Sequence, residues 1–126
     1  MKHIKTFESY DYLPEVIRNV EQMLLQIEDF EFSTKVNLES QKDLVIEIKK
    51  NSQEFQVFLS DDIKETLIDI NQYLTLGEGI KLKEIIVTRV LPPSGSFERN
   101  FGHSISFEQL IKGNIRLLDC ILIYEL

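Results

Sequence analysis

The chain has 126 residues, 43% hydrophobic and 28% charged; this fits one globular domain, is short for two, and excludes a disordered polypeptide. A net charge of −7, from 14 basic and 21 acidic residues, disfavours a nucleic-acid backbone as partner, which requires clustered Lys and Arg. No apolar run reaches the roughly 18 residues of a membrane span, and a single cysteine, Cys120, excludes an internal disulfide and favours folding in the cytosol.

Residues 1–12 show no clear period and read as an arm with aromatic anchors at Phe7, Tyr10 and Tyr12. The basic start Met1-Lys2-His3-Ile4-Lys5 is not followed by an apolar segment, so it does not read as a secretory signal. Residues 13–126 are expected to form the single domain. Its first element is a helix over 13–29, because Val16, Ile17, Val20, Met23, Leu24 and Ile27 recur at spacings of three and four. Pro14 suits a first turn, and Glu15 there complements the helix dipole.

The period then changes to two. Phe32, Thr34, Val36 and Leu38 alternate with Ser33, Lys35, Asn37 and Glu39, Leu44, Ile46 and Ile48 with Val45, Glu47 and Lys49, and Phe55, Val57 and Leu59 with Glu54, Gln56 and Phe58. These spacings predict three strands with one wet face each. The breaks at 40–43 and 50–52 are short and polar, which predicts an antiparallel meander. A second helix is expected over 61–75, capped by oxygens of Ser60, Asp61 or Asp62, burying Ile63, Leu67, Ile70 and Leu74 and stopping at Gly77.

Ile80 to Leu91 is rich in β-branched residues and predicts a long strand, ended by Pro92-Pro93. A polar loop follows at 92–104. Ser106 and Gln109 have capping-box spacing, and Gly113 closes a short helix. Ile115 to Tyr124 is apolar on both faces, with Ile115, Leu117, Ile121 and Ile123 on one and Leu118, Cys120 and Leu122 on the other. Such a strand belongs in the middle of its sheet. The predicted class is α+β, in the order α-β-β-β-α-β-(short α)-β. About five strands form a mostly antiparallel sheet with two main helices on one face.

The charge is unevenly placed. Residues 1–31 carry 3 basic and 7 acidic residues, residues 60–79 carry 1 and 5, and the strand-rich remainder is nearly neutral. The acid belongs to the two helical segments. Asp61, Glu65 and Asp69 are spaced by four along one side of the second helix, where like charges repel by a few tenths of a kcal/mol. They form either a solvated helix face or a docking strip for a partner with a basic surface. Carboxylates on one straight helix do not surround a metal ion.

Metal and catalytic patterns give little. Two His and one Cys form no CxxC, HxH or HExxH pattern. Cys120 lies in an apolar strand and reads as a small hydrophobe rather than a nucleophile. Gly77-Glu78-Gly79 follows a helix rather than a strand, so it is a turn and not a nucleotide fingerprint. Phe55 and Phe58 offer stacking surfaces, but without the basic surround that single-stranded nucleic acid needs. The segment 92–104 is the best candidate site. It concentrates Ser94, Ser96, Arg99, Asn100, His103 and Ser104, with Phe97 and Phe101 as anchors and Gly95 and Gly102 for tight turns. Arg99 is suited to grip a carboxylate or phosphate. The competing explanation is a plain β-connection whose phenylalanines pack on the core.

The opening MKHIKTFESY, through Met1, Lys2, Ile4, Lys5, Phe7 and Glu8, resembles the short leader found on proteins of large T4-like tailed bacteriophages. In that group some leaders direct proteins into the prohead and are cleaved after a Glu. The resemblance covers about the first ten residues; it implies a phage-encoded protein acting in the bacterial cytoplasm or in the virion.

Together these features predict a non-enzymatic protein-binding module needing no cofactor. It would act as an inhibitor of a host protein or as a virion or assembly component, through a basic partner or by self-association. The alternative is a small-molecule or nucleotide-sequestering protein that uses the 92–104 loop.

Overall fold

The computed structural model describes residues 7–28, 32–51, 57–91, 99–113 and 115–126. In chain order they form α1 (Phe7–Glu28), β1 (Phe32–Glu39), β2 (Asp43–Lys50), β3 (Val57–Phe58), α2 (Asp61–Gln72) continued by one π-helical turn (Tyr73–Gly77), β4 (Lys81–Leu91), β5 (Arg99–Ile105), α3 (Phe107–Lys112), β6 (Arg116–Leu117) and β7 (Asp119–Glu125). An antiparallel five-stranded sheet runs in the order β1-β2-β7-β4-β5, and β3 pairs with β6 in a separate two-stranded ribbon. The class is α+β, as the alternation of periods predicts.

The sheet register sorts every strand into two faces. Leu44, Ile46 and Ile48 on β2 lie across from Tyr124, Leu122 and Cys120 on β7. Leu122 and Cys120 in turn lie across from Ile85 and Val87 on β4. All eight side chains are buried. Val16, Val20, Leu24 and Ile27 of α1 and Ile63, Leu67, Ile70 and Leu74 of α2 close the same core over them. Both helices therefore cover one face, and their apolar stripes are the ones the three-and-four spacing marks out. Each such side chain contributes roughly 1.5–3 kcal/mol by leaving water.

The other face carries Val45, Ile121, Ile123 and Ile86 in a row across β2, β7 and β4. Val45 is buried and the three isoleucines are half-buried. Around them stand Lys35, Glu47, Lys49, Asp119 and Glu84. β7 is apolar on both sides and is the middle strand, as expected for that pattern.

Four sequence expectations change. The first helix starts at Phe7, so residues 7–12 of the expected arm are its opening turns, and Pro14 sits inside the helix, where it removes one backbone donor. The expected three-strand meander stops at the β1–β2 hairpin. The free side of β2 is taken by β7 rather than by the next strand, because β7 brings apolar groups to both faces, and β3 pairs instead with Leu117 and Arg116. The strand expected from Ile115 is split at Leu118, which leaves β6 in the ribbon and β7 in the sheet. Finally, residues 99–104 are not loop but most of β5, paired one for one with β4 from Leu91↔Arg99 to Ile85↔Ile105. A ladder is a backbone property, and the polar composition of this stretch hides it.

The local stops behave as the chemistry requires. Ser60 caps α2 by accepting a hydrogen bond from the backbone N–H of Ile63 at 3.3 Å. Ser106 and Gln109 make a reciprocal capping box on α3, which ends at Gly113. The β1–β2 hairpin turns through Ser40 (φ 55°) and Gln41 (φ 56°), both left-handed without a glycine; the reversed twist of such a turn matches the twist of its strands.

Candidate functional site

A polar seam fixes how α2 sits. Asn19 of α1 donates to the Tyr73 hydroxyl at 2.8 Å. The Tyr124 hydroxyl of β7 donates to Oδ1 of Asn71 at 2.7 Å. Thr66, buried between the helices, donates to the carbonyl of Asp62 at 3.1 Å and also approaches Gln26 of α1 at 3.4 Å. Burial raises the Tyr73 hydroxyl above its usual range; the Asn19 bond pulls it back and the Glu78 and Glu15 carboxylates push it further up. Burial, with a smaller push from Cys120, raises the Tyr124 hydroxyl too. Both stay protonated at neutral pH and keep their bonds.

With Thr66 and Tyr73 turned to α1 and the Ile63–Leu67–Ile70–Leu74 stripe turned down, the outer surface of α2 is determined by geometry. Asp61, Glu65 and Asp69 all stand on it, exposed. At steps of three and four the line continues through Gln72 to Leu76, in the π-helical turn. Leu76 is 78% exposed. The sequence reading stops at the three acids, although Leu76 follows Asp69 by seven residues, two α-helical turns, and so lies on the same outward face. α1 adds Glu15, Glu21 and Glu28, also exposed, to the helical layer.

The second candidate fares differently. Ser94, Ser96 and Phe97 lie outside the described residues. Arg99, Asn100, Phe101 and His103 are on β5, opposite Leu91, Val90, Arg89 and Val87, and their side chains lie outside the described set, as do those of Phe55 and Phe58. Ser104 is exposed and its hydroxyl donates to the Glu84 carboxylate on β4. What sequence suggests as one polar loop is thus divided between a strand and the segment before it.

The register also addresses a Cys–His pair. Val87 lies opposite His103 on one side and Cys120 on the other, so their backbones are two strands apart, roughly 9–10 Å. Burial, with the Asp119 carboxylate adding to it, pushes the Cys120 thiol up to about 12. A thiol in that state is a packing group and not a thiolate nucleophile. Among the described residues no three His, Cys, Asp or Glu stand together as a metal site, and no helix is long and apolar enough to cross a membrane. Comparison with protein-family models, with curated proteins and with solved structures finds no match to this chain.

Proposed function

We propose that this chain is a non-enzymatic protein-binding module that docks a partner with a basic surface on its helical layer. The observation that carries the reading is the outward line Asp61–Glu65–Asp69–Gln72–Leu76 on α2, three carboxylates ending in a leucine that is 78% exposed. Carboxylates steer and orient a basic surface, while an apolar anchor at the end of the strip supplies contact energy that charge alone does not. The leader-like opening supports a phage-encoded protein, acting in the bacterial cytoplasm or in the virion, either against a host protein or in assembly.

The test is native mass spectrometry of the chain after incubation in bacterial lysate, in parallel with Asp61→Lys/Glu65→Lys and with Leu76→Ala. A protein adduct that weakens with added salt and is lost in both variants supports the proposal. An adduct kept by both, or none, refutes it; a small anionic adduct would instead favour the ligand-sequestering alternative.

A further inference from the structure

The outer edge of β1 has a specific pattern of free and blocked positions. The Lys50 N–H of β2 donates to the carbonyl of Leu118, on the β7 side of the strand, at 2.9 Å. By alternation the even residues of β2 therefore point to β7 and its odd residues to β1. The β1–β2 register pairs odd with odd, for example Lys35↔Glu47 and Asn37↔Val45. The N–H and C=O groups of Thr34, Val36 and Leu38 consequently point away from the sheet. The Thr34 N–H is already occupied: the Glu28 carboxylate, at the end of α1, accepts from it at 3.3 Å and from its hydroxyl at 2.8 Å. After Glu39 the chain turns away through Ser40. The open stretch is Val36 to Leu38, where no described group meets the outward donors.

Apolar exposure gathers at the same edge. Of the three large hydrophobic residues exposed among the described residues, Leu38 (39%) is on β1 and Leu25 (57%) is on α1. Leu25 is three residues before Glu28, so it shares the flank of α1 that reaches the β1 edge. Charge is unresolved there as well. Glu39 lies opposite Asp43, a like-charged pair that is unfavourable across strands. Asp43 is bridged by Lys83 at 3.4 Å, whereas neither Glu39 nor Lys35 is in an ion pair among the described residues.

We infer that the β1 edge pairs antiparallel with β1 of a second copy, about a two-fold axis through Asn37. In that register Val36 and Leu38 face each other across the axis, and each donates to the other's carbonyl in both copies. Lys35 lies directly opposite Glu39 of the second copy, and Glu39 opposite its Lys35. These are the positions that make no backbone bonds across the new ladder, where side chains approach most closely. Neighbouring registers fail. Centring on Val36 sets Leu38 against Thr34, whose donor is blocked by Glu28, and centring on Leu38 sets Val36 against the turn residue Ser40. The axis stands perpendicular to the sheet, so the two sheets become continuous and both helical layers lie on one side. This interface does not depend on the proposed docking of a basic partner, which uses the outer surface of α2.

The test is sedimentation equilibrium of the full chain across the micromolar range, with circular dichroism of each variant. The expected result is reversible association of the 14.8 kDa chain to twice its mass. Lys35→Glu and Glu39→Lys should each weaken association about tenfold or more by placing like charges across the axis. The double variant should recover it to within about threefold, since the pair is restored with its signs exchanged. Val36→Pro removes an outward donor that β2 does not use, and should leave a monomer with unchanged circular dichroism. A chain that stays at 14.8 kDa throughout overturns the inference. So does a dimer indifferent to both charge reversals, whether or not Val36→Pro folds.

Discussion

The two faces of β7 have nearly the same composition and very different surroundings. Cys120, Leu122 and Tyr124 point under α1 and α2 and are fully buried, while Ile121 and Ile123 point to the opposite side and are half-buried. The difference shows that hydrophobicity places a strand at the centre of a sheet but does not ensure that both its faces are covered. On the helix side the apolar residues are enclosed by two amphipathic stripes. On the other side, among the described residues, they are flanked by neighbouring strands and by a rim of charges such as Glu47 and Lys49.

The sharpest way to break this comparison is to truncate one residue on each face. Leu122→Ala should cost about 2–5 kcal/mol, since it leaves a void beneath both helices. Ile121→Ala, next to it in sequence, should cost less than half as much, because water reaches the vacated space. Urea unfolding of both variants measures the ratio, and equal losses would mean that the opposite face is equally covered in solution.

Alkaline titration separates the faces a second way. The Cys120 thiol, on the covered face, is raised from 9.0 to about 12. A folded-state pKa above the unfolded value gives stability that is fully present below pH 9.0 and is lost as pH rises towards 12. The unfolded chain gives up the proton first, so the slope is about 1.4 kcal/mol per pH unit within that window. The raised Tyr124 hydroxyl acts in the same direction above its usual value of 10.0. Cys120→Ala should make the fall in unfolding free energy between pH 9.0 and 12 visibly shallower. An unchanged slope would mean that the thiol is solvated.

The smallest effect concerns the seam that ties the covered face to α2. Tyr124→Phe keeps the ring and removes the donor to Asn71, for an expected loss of about 1–2 kcal/mol. Because that bond joins β7 to the helix bearing Asp61, Glu65 and Asp69, hydrogen exchange should quicken in α2 more than in α1. Equal protection in both helices would remove the seam from the account of how the acidic strip is held.

Much of this architecture is legible in the residue pattern, and the parts that are not share a physical cause. The stripes from Val16 to Ile27 and from Ile63 to Leu74, the capping box at Ser106, the stop at Gly113 and the central place of β7 all follow from local periodicity and side-chain chemistry. Strand partnership does not. The short polar break after Lys50 suggests a hairpin, yet β2 pairs with β7, at the far end of the sequence, and β3 pairs with β6. β5 is missed because Arg99, Asn100, Gly102 and His103 have the composition of a loop, while their ladder to β4 depends only on backbone groups. For the candidate site, the spacing of Asp61, Glu65 and Asp69 gives their shared exposure directly. Leu76 continues the same spacing, seven residues after Asp69, and escapes because its apolar character suggests the core while its phase puts it on the outer face. The Glu28–Thr34 contact escapes because it joins a helix end to a strand edge, and nothing in the local pattern indicates it.

The position of β7 also shapes the route by which the chain folds. Leu44 meets Tyr124 and Leu82 meets Tyr124, so both neighbours of the central strand wait for a segment distant in sequence. Until it inserts, β2 and β4 each present a bare edge, and the local β1–β2 hairpin and β4–β5 pair are left as two separate half-sheets. Joining them requires closing large loops before most of the stabilising contacts exist. The expected kinetics are those of a topology dominated by distant pairings, in milliseconds to seconds, with β7 docking as the step that turns two independent hairpins into one cooperative unit.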